Sequence, residues 1–384
     1  MEPIRILHVV GRMDRGGIET MIMNIYRNID RSLVQFDFLA HYGKENADYN
    51  EEIRSLGGKI YEMPVIKTID GKLYYDKFFE YRRALIDFFR EHGGYRVLHG
   101  HMTNTAAIYM PVAKKYGGVP CRIAHSHSTS VVKGVAGLAT GLLHKLVPMV
   151  ATDYFTCSLS AASWIFRKKD IESGKVTVVR NGVDTRAFSF QPDIREKYRR
   201  ELGVSGLVIG NVARFQYFKN QAFLVDMMPE LLKIHPDATL ILVGDGPDRA
   251  DVEAKAKAAG VYESIRFLGL RSDISALEQA FDVFALPSHF EGQPVTLIEA
   301  QCAGLPCVVS AEAVSAESDV TGGMSFVSLN ESPAEWAKKI AEAAQRPRAD
   351  GSEAVRAAGY NCADTAKFLQ EFYLMRNTEC GMRD

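Results

Sequence analysis

Short apolar runs rich in β-branched residues alternate with helical stretches along the chain, and this alternation most constrains the fold. Residues 4–10, IRILHVV, are typical of a buried strand, and a helix is predicted to follow over residues 16–28. Strands joined by helices in this way form parallel sheets with helices on both faces. Further strands are predicted over residues 36–40, 97–99, 122–125, 154–157 and 176–179.

A second series of alternating strands and helices follows Asn181-Gly182-Val183-Asp184. A chain of 384 residues is too long for one ordinary core and suits two domains. Residues 184–200 are polar and lack apolar periodicity, so we place the interdomain linker there. We predict two doubly wound α/β domains, with a ligand between the carboxyl ends of their strands. The strands of the second domain are predicted over residues 207–211, 239–243, 265–268, 283–286 and 307–309.

The bulk composition is that of a soluble globular enzyme, with 47% hydrophobic and 24% charged residues. It excludes a disordered chain, a fibrous repeat and a small disulfide scaffold. A net charge of -1 argues against a dedicated nucleic-acid binder. The six cysteines form no Cys-x-x-Cys pair, which is typical of a reducing compartment. Without a secretory leader or an 18-residue apolar stretch, the sequence predicts a cytoplasmic protein.

The charge is unevenly distributed along the chain. Residues 1–185 carry 25 basic and 19 acidic side chains, whereas residues 186–384 carry 21 and 28. Residues 92–152 contain no Asp or Glu but hold six Lys or Arg and six of the ten His. This window fits either a buried core with neutral loops or a surface that faces an anion such as a phosphate or a lipid headgroup.

Residues 286–310, LPSHFEGQPVTLIEAQCAGLPCVVS, predict a strand, a turn, a helix and a further strand. The helix N-terminus offers free amides and a positive dipole end to phosphate oxygens, and Gly292 permits close approach. Glu291 is placed to accept hydroxyls of a sugar, and Glu299 to accept both hydroxyls of a ribose. The alternative is that Glu291 is a solvated loop residue and Glu299 only complements the helix dipole. The predicted donor-binding residues of this segment are Gly292, Gln293, Pro294, Val295, Thr296 and Glu299.

Two other loops have residues suited to a phosphate. Arg214 and Lys219 follow a predicted strand and precede a helix, and both cations suit a diphosphate, although solvated loop residues would look the same. Gly16 and Gly17 lie in a strand-to-helix loop that matches neither a dinucleotide fingerprint nor a P-loop. Adjacent glycines there fit either close approach to a phosphate or sugar, or a simple tight turn.

Taken together, these segments resemble the retaining glycosyltransferases of family four. Residues 179–184, VRNGVD, resemble the interdomain Asn-Gly-Val-Asp of that family, and residues 242–247, LVGDGP, resemble its Val-Gly-Asp-Gly-Pro turn. Residues 267–269, FLG, resemble the Phe-Leu-Gly that precedes its base-binding loop. The resemblance spans nearly the full chain and implies the GT-B fold, in which two Rossmann-like domains face each other across a deep cleft.

The resemblance also implies a role for each part of the chain. It makes residues 1–185 the acceptor-side domain, residues 186–360 the donor-binding domain, and residues 361–384 a helix that packs back towards the N-terminal domain. Arg214 and Lys219 would then neutralise the leaving diphosphate, and the Gly16-Gly17 loop would lie over it. The backbone at Leu270-Arg271 would hold the base. Family members usually have Gln before the matching lysine, and we read Phe218 as a tolerated change.

Family resemblance further implies a front-face reaction, in which a donor phosphate oxygen takes the acceptor proton. No dedicated protein base and no catalytic divalent ion are then expected, and we predict neither a metal nor a cofactor. The sequence segments His99-Gly100-His101 and His125-Ser126-His127 have metal-like spacing, but no local carboxylate or Cys joins them. The family instead implies a strand-end histidine near a sugar, for which we prefer His127 to His125. His101 fits either a site or a structural role.

Three segments, GGIET at residues 16–20, AHSHS at residues 124–128 and PVTLIEAQ at residues 294–301, resemble the capsular and exopolysaccharide subgroup in particular. This resemblance implies a lipid-linked saccharide acceptor on the inner membrane face. Lys133 and the apolar residues 135–143 lie in the acid-free window, and they fit peripheral contact with an anionic membrane. Two other functions stay open at this point. One is a nucleotide-sugar 2-epimerase of the same fold, and the other is a non-catalytic subunit that binds nucleotide sugars.

Overall fold

The computed structural model describes residues 2–41, 47–64, 75–127 and 135–381. The chain forms two compact units. Unit 1 consists of Met1–Gly182 with Cys362–Asp384, and unit 2 consists of Val183–Asn361. The chain therefore passes from unit 1 to unit 2 at Gly182, and it returns at Cys362.

Unit 1 is built on a seven-stranded sheet in the order β3-β2-β1-β4-β5-β6-β7, and every described pairing is parallel. The predicted parallel α/β architecture is confirmed. We did not predict β3, a four-residue edge strand with no fully buried residue. The strands are β1 (Ile4–Val10), β2 (Val34–Ala40), β3 (Lys59–Glu62), β4 (Val97–Gly100), β5 (Cys121–Ser126), β6 (Asp153–Thr156) and β7 (Val176–Val178).

Two apolar layers cover the faces of this sheet, because successive side chains of a strand point to opposite sides. Ile6 and Val10 of β1 belong to one layer, and Leu7 and Val9 belong to the other. Helices α1 and α15 supply the first layer, and helices α3 and α4 supply the second. The helices of unit 1 are α1 (Gly17–Asn28), α2 (Asn50–Ser55), α3 (Tyr75–Glu91), α4 (Thr103–Gly117), α5 (Val135–Val150), α6 (Leu159–Ile165), α7 (Lys168–Glu172) and α15 (Cys362–Gly381).

Unit 2 is built on a six-stranded parallel sheet in the order β10-β9-β8-β11-β12-β13. This order reverses direction between β8 and β11, as in dinucleotide-binding folds, and ligands bind at such a switch point. The strands are β8 (Val208–Val212), β9 (Thr239–Val243), β10 (Ile265–Gly269), β11 (Val283–Leu286), β12 (Cys307–Ser310) and β13 (Met324–Val327). The helices are α8 (Pro192–Leu202), α9 (Gln221–Ile234), α10 (Arg249–Ala258), α11 (Ile274–Leu277), α12 (Val295–Cys302), α13 (Pro333–Ala344) and α14 (Ser352–Ala357).

Our prediction of a linker over residues 184–200 is wrong, because most of α8 lies in this segment. No residue of α8 is fully buried, but Tyr198 and Leu202 pack, partly buried, against the core of unit 2. The other residues of the helix are mostly polar, so its apolar pattern is weak. Ion pairs add to this contact. Arg195 and Arg199 both pair with Asp282, and Arg195 also donates to the Phe281 carbonyl at 2.6 Å.

Helix α15 has the twenty residues that a bilayer span requires. Among the described residues, however, no helix combines such a length with enough apolar character to cross a membrane. The apolar residues 135–143 begin α5, whose later part contains His144 and Lys145. Lys133 lies outside the described residues.

Candidate functional site

The switch point of unit 2 brings together two loops that we predicted from separate motifs. One loop follows β8 and the other follows β11, and the two strands pair in parallel. The His289 amide donates to the Phe218 carbonyl at 2.8 Å, and Asn220 Nδ2 donates to the Pro287 carbonyl at 3.1 Å. Asn220 has a left-handed φ of 54°, which Asn tolerates better than most residues. The two loops are therefore tied to each other at the carboxyl ends of their strands.

A nearly buried ion pair lies between these loops. Lys219 Nζ donates to both carboxylate oxygens of Glu291, at 2.7 and 2.8 Å. The Lys219 side chain is 17% exposed and that of Glu291 is 6% exposed. Ser288 Oγ donates to Glu291 Oε1 at 2.6 Å, and Ser310 Oγ donates to the Ser288 carbonyl at 2.5 Å. Topology thus joins a cation and a carboxylate that are 72 residues apart in sequence.

Phe218, the residue that departs from the family pattern, contacts this pair. Its ring centroid lies 5.6 Å from Lys219 Nζ, within the range of a cation–π interaction. Arg214, by contrast, is exposed and forms no ion pair within the described part of the chain. The structure therefore brings Lys219, but not the Arg214 side chain, into contact with Glu291.

Helix α12 begins directly after the Glu291 loop. Pro294 is its N-cap, and Val295 is its first helical residue. Val295 and Thr296 of the first turn are partly exposed, as is Gln293, and Gly292 is exposed. Gln293 Oε1 is buried without a hydrogen-bond partner among the described residues. The helix thus presents its first-turn amides and one unpaired acceptor beside the Lys219–Glu291 pair.

Glu299 lies further along α12 and is buried, and burial raises its pKa to about 7. Burial, followed by the charge of Glu299, raises the pKa of Glu278 well above its ordinary value. Both carboxylate oxygens of Glu278 lack a hydrogen-bond partner among the described residues. Two interacting buried carboxyls do not ionise independently, so Glu278 is the group that keeps a proton. Sequence reasoning missed Glu278, whose only signal is an acid in the apolar stretch ALEQAFDVF.

The predicted base-binding position carries its own ion pair. Arg271 Nε and Nη2 donate to Asp273 at 2.8 and 2.6 Å, and Tyr198 donates to the same carboxylate at 2.9 Å. The Arg271 guanidinium is therefore bound to Asp273. The prediction that this loop holds the base concerns its backbone at residues 270–271 and not the Arg271 side chain.

In unit 1, the Gly16-Gly17 loop lies at the carboxyl end of β1, beside the switch between β1 and β4. Gly16 is the N-cap of α1, and its carbonyl accepts from the Thr20 amide at 2.8 Å. Its φ of -120° is extended, so the glycine is not required by backbone strain. A Cβ at Gly16 would meet the carboxylate of Glu19, and burial raises the pKa of Glu19 to about 7.

The predicted histidines lie in a larger cluster of five imidazoles at the same end of the unit 1 sheet. Strand alternation places them on the face covered by α1 and α15. One chain of contacts joins His8 Nδ1 to His101 Nε2 at 3.1 Å, and His101 Nδ1 to His127 Nε2 at 2.9 Å. A second joins His99 Nε2 to His125 Nδ1 at 3.0 Å. Sequence reasoning missed His8, which is a lone histidine within β1.

All five imidazoles are neutral at physiological pH. Burial lowers the pKa of His8 and of His127 to about 3. Burial and the neighbouring imidazoles lower the pKa of His99, His101 and His125 well below the ordinary value. His125 is fully buried, whereas His127 is partly exposed, so His127 is the more accessible of our two candidates.

Comparison with known proteins identifies the family. The model of "Glycosyltransferase Family 4" matches residues 15–187, and that of "Glycosyl transferases group 1" matches residues 206–346. One relative is the Bacillus subtilis (strain 168) protein EpsF, which is named provisionally as a glycosyltransferase. It is 34% identical to this chain over 377 residues, which are 96% of each protein. An Escherichia coli protein named UDP-Gal:alpha-D-GlcNAc-diphosphoundecaprenol alpha-1,3-galactosyltransferase is 29% identical over 56% of this chain and 58% of its own.

Solved structures share the fold. HepE of Anabaena, solved with UDP and glucose, superposes with a TM-score of 0.73 at 18% identity, over 96% of this chain and 99% of its own. WaaG, a glycosyltransferase of lipopolysaccharide biosynthesis, superposes with a TM-score of 0.64 at 17% identity, over 99% of each chain. The chain is thus a glycosyltransferase of family four, group 1, with the GT-B fold.

Proposed function

We propose that the chain is a retaining glycosyltransferase that moves a sugar from a nucleotide sugar, in particular a UDP-sugar, to a saccharide acceptor. The observation that carries this proposal is the Lys219–Glu291 pair at the switch point of unit 2. It holds a cation suited to a diphosphate beside a carboxylate suited to sugar hydroxyls. A UDP donor is further supported by HepE, which was solved with UDP-glucose, and by the E. coli relative named for UDP-galactose.

Lys219 can serve the diphosphate without losing its present position. An ammonium group has three donors, and the two contacts with Glu291 leave at least one for a phosphate oxygen. Negative charge develops on the diphosphate as the bond from the anomeric carbon to the phosphate oxygen breaks. Lys219, Arg214 and the first-turn amides of α12 stabilise that charge.

The acceptor oxygen attacks the anomeric carbon on the face that the diphosphate leaves, and the acceptor proton passes to the departing phosphate oxygen. This route requires no protein base and no divalent ion at the diphosphate. Glu291 orients the donor sugar, and Glu299 in its ionised form accepts the ribose hydroxyls. We assign the backbone at residues 270–271 to the base, and from unit 1 we assign Gly16 and Gly17 to the diphosphate and His127 to a sugar.

The acceptor that we propose is a lipid-linked saccharide in capsular or exopolysaccharide synthesis. Two relatives support this choice: the E. coli galactosyltransferase, whose name includes diphosphoundecaprenol, and the Vi polysaccharide biosynthesis protein VipC/TviE of Salmonella typhi, 34% identical over 170 residues, 43% of this chain and 29% of its own. We place the protein in the cytoplasm, in peripheral contact with the anionic inner face of the membrane. Lys114 and Lys115, in the last turn of α4, belong to the basic surface that would make this contact.

The experiment that tests this proposal is a panel of nucleotide sugars scored for thermal stabilisation and slow hydrolysis. A ligand at one hundred times its Kd stabilises a protein by about 2.7 kcal/mol, which raises its Tm measurably. We expect a UDP-sugar to stabilise the native chain, and Lys219→Met to remove most of that effect. Lys233→Met is the matched control, because Lys233 pairs with Glu230 on the exposed surface of α9.

Two results would contradict the proposal. One is that no nucleotide sugar stabilises the chain, and the other is that Lys219→Met binds UDP-sugars as well as the native chain does. Conversion of UDP-N-acetylglucosamine to an epimer without any acceptor would instead favour the 2-epimerase.

A further inference from the structure

The histidine cluster of unit 1 contains three imidazoles in an arrangement that suits a metal ion. His125 and His127 lie two positions apart at the end of β5, and His101 follows the neighbouring strand β4. One ring nitrogen of each lies within 4.8 Å of the other two. We propose that His101, His125 and His127 form a binding site for a divalent transition-metal ion of the zinc class.

The distances require only side-chain movement. Zinc–nitrogen bonds of about 2.0–2.1 Å in tetrahedral geometry place ligand nitrogens about 3.4 Å apart. His101 and His127 already hold two of their nitrogens 2.9 Å apart, and the His125 and His127 ring centroids are 3.9 Å apart. Binding therefore requires the three rings to rotate and the His125 and His127 rings to separate, because two imidazoles bound to one tetrahedral ion lie further apart than these rings do.

A buried and unpaired nitrogen gives this arrangement an independent reason to bind an ion. His125 is 0% exposed, and its Nε2 has no hydrogen-bond partner among the described residues. A buried polar atom without a partner costs free energy, which a bond to a metal ion recovers. His101 exchanges its contact with His127 for the ion, while His8 continues to orient its ring from the other side.

The chemistry of the donor set selects the class of ion. Three imidazole nitrogens without a carboxylate favour zinc, cobalt, nickel or copper, whereas magnesium and calcium require oxygen ligands. Three protein ligands leave a fourth position open to water or an anion.

A second set of three, formed by His8, His99 and His101, fits the ion less well. His8 is 2% and His99 1% exposed, and His99 already contacts both Tyr373, at 2.6 Å, and His125. Among the described residues, His127 is partly exposed, whereas His8 and His99 of the second set are buried.

A bound metal ion should affect glycosyl transfer, an expectation that rests on the proposed function. An ion bound to His127 removes this imidazole from the donor or acceptor sugar. Zinc should therefore inhibit glycosyl transfer, and a chelator should restore it. The ion is distinct from a catalytic metal at the diphosphate, which the proposed mechanism does not require.

Titration of the metal-free, tag-free chain with CoCl₂ tests the site directly. Cobalt held by three imidazoles has visible absorption bands of four- or five-coordinate geometry, and we expect them to saturate at one equivalent and disappear when ZnCl₂ is added. His127→Gln and His125→Ala each remove one of the three ligands and should weaken binding by more than the about 10–100-fold that loss of an outer-shell partner costs. His92→Ala is the matched control, since His92 packs against Tyr61 and Phe88 outside the cluster and should bind cobalt like the native chain.

Three outcomes would overturn the site: no visible band in the native chain, a band that His127→Gln leaves unchanged, or a band that is lost only in His8→Ala. Circular dichroism verifies that each variant is folded. Should His125→Ala fail to fold, His127→Gln still decides the question, because this position is partly exposed. Cobalt binding without zinc inhibition of transfer would count against the proposed role of His127 at the sugar and would leave the metal site standing.

Discussion

Removing the positive charge of Lys219 should destabilise unit 2, because the Glu291 carboxylate then stays buried without its counter-charge. Lys219→Met keeps the length of the side chain, but among the described residues it leaves the Ser288 hydroxyl as the one hydrogen-bond donor to Glu291, whose side chain is 6% exposed. Breaking a buried ion pair from one side costs about 3–5 kcal/mol, because a charge stays buried without its partner. Lys219 is 17% exposed, so water screens part of this cost, and we expect about 3 kcal/mol.

A double-mutant cycle separates the pair from other effects of the substitution. Glu291→Gln alone should cost about 2 kcal/mol, because Lys219 then lacks its counter-charge. The double variant leaves no unpaired charge and should cost no more than Lys219→Met alone, which gives a coupling free energy of at least about 2 kcal/mol. The control Lys233→Met should change stability by less than about 0.5 kcal/mol, because the Lys233–Glu230 pair is exposed.

Urea unfolding followed by tryptophan fluorescence measures these values, and the chain contains only Trp164 and Trp336. Trp336 is fully buried in the core of unit 2, so a Trp164→Phe background reports the unfolding of that unit alone. Additive costs, or a cost of Lys219→Met below about 0.5 kcal/mol, would refute the reasoning. The ion pair would then contribute no more than an exposed one.

Four further predictions concern other parts of the chain. Burial raises the pKa of Glu299 to about 7, so the folded state keeps a proton that the unfolded state loses above pH 4.5. Stability should therefore fall as the pH rises from about 4.5 to 7, and Glu299→Gln should reduce this fall in urea titrations. UDP-glucose should bind more tightly as the pH rises from 6 to 8, and calorimetry on Glu299→Gln should show that dependence lost. Asp282→Asn should weaken the contact of α8 by about 2 kcal/mol in urea unfolding, and Asp282→Glu should recover part of it. Replacing Lys114, Lys115 and Lys133 with Glu should reduce binding to anionic vesicles in a sedimentation assay, and unchanged binding would remove the proposed membrane contact.

The fold was largely predictable because buried parallel strands are continuous apolar runs. All strands of the second series that we predicted are present, and the two missed strands, β3 and β13, lie at sheet edges. Each has only four residues, and half-exposed edges do not need a continuous apolar run. Helix α8 was missed for a related reason, since its apolar contact with the core is limited to partly buried residues such as Tyr198 and Leu202, and ion pairs with Asp282 add to it.

Individual residues of the candidate site were predictable, but the contacts between them were not. Motif chemistry singled out Lys219 and Glu291, but their contact depends on β8 and β11 being neighbours, which follows from topology. Glu278 has no motif, and its importance comes entirely from burial beside Glu299. His8 could have been found by aligning β1 with β4, because the two strands pair His8 with His99. Long-range pairing is the information that local sequence patterns lack.

The anomeric configuration of the sugar first released from a nucleotide sugar tests the central claim most directly. Time-resolved proton NMR distinguishes the two anomers before they equilibrate in water. A retaining glycosyltransferase that slowly hydrolyses a UDP-α-sugar, from a panel that includes the glucose, galactose and N-acetylglucosamine donors, must release the α anomer first. Release of the β anomer first, or no hydrolysis of any UDP-sugar by the native chain, would contradict the proposed reaction.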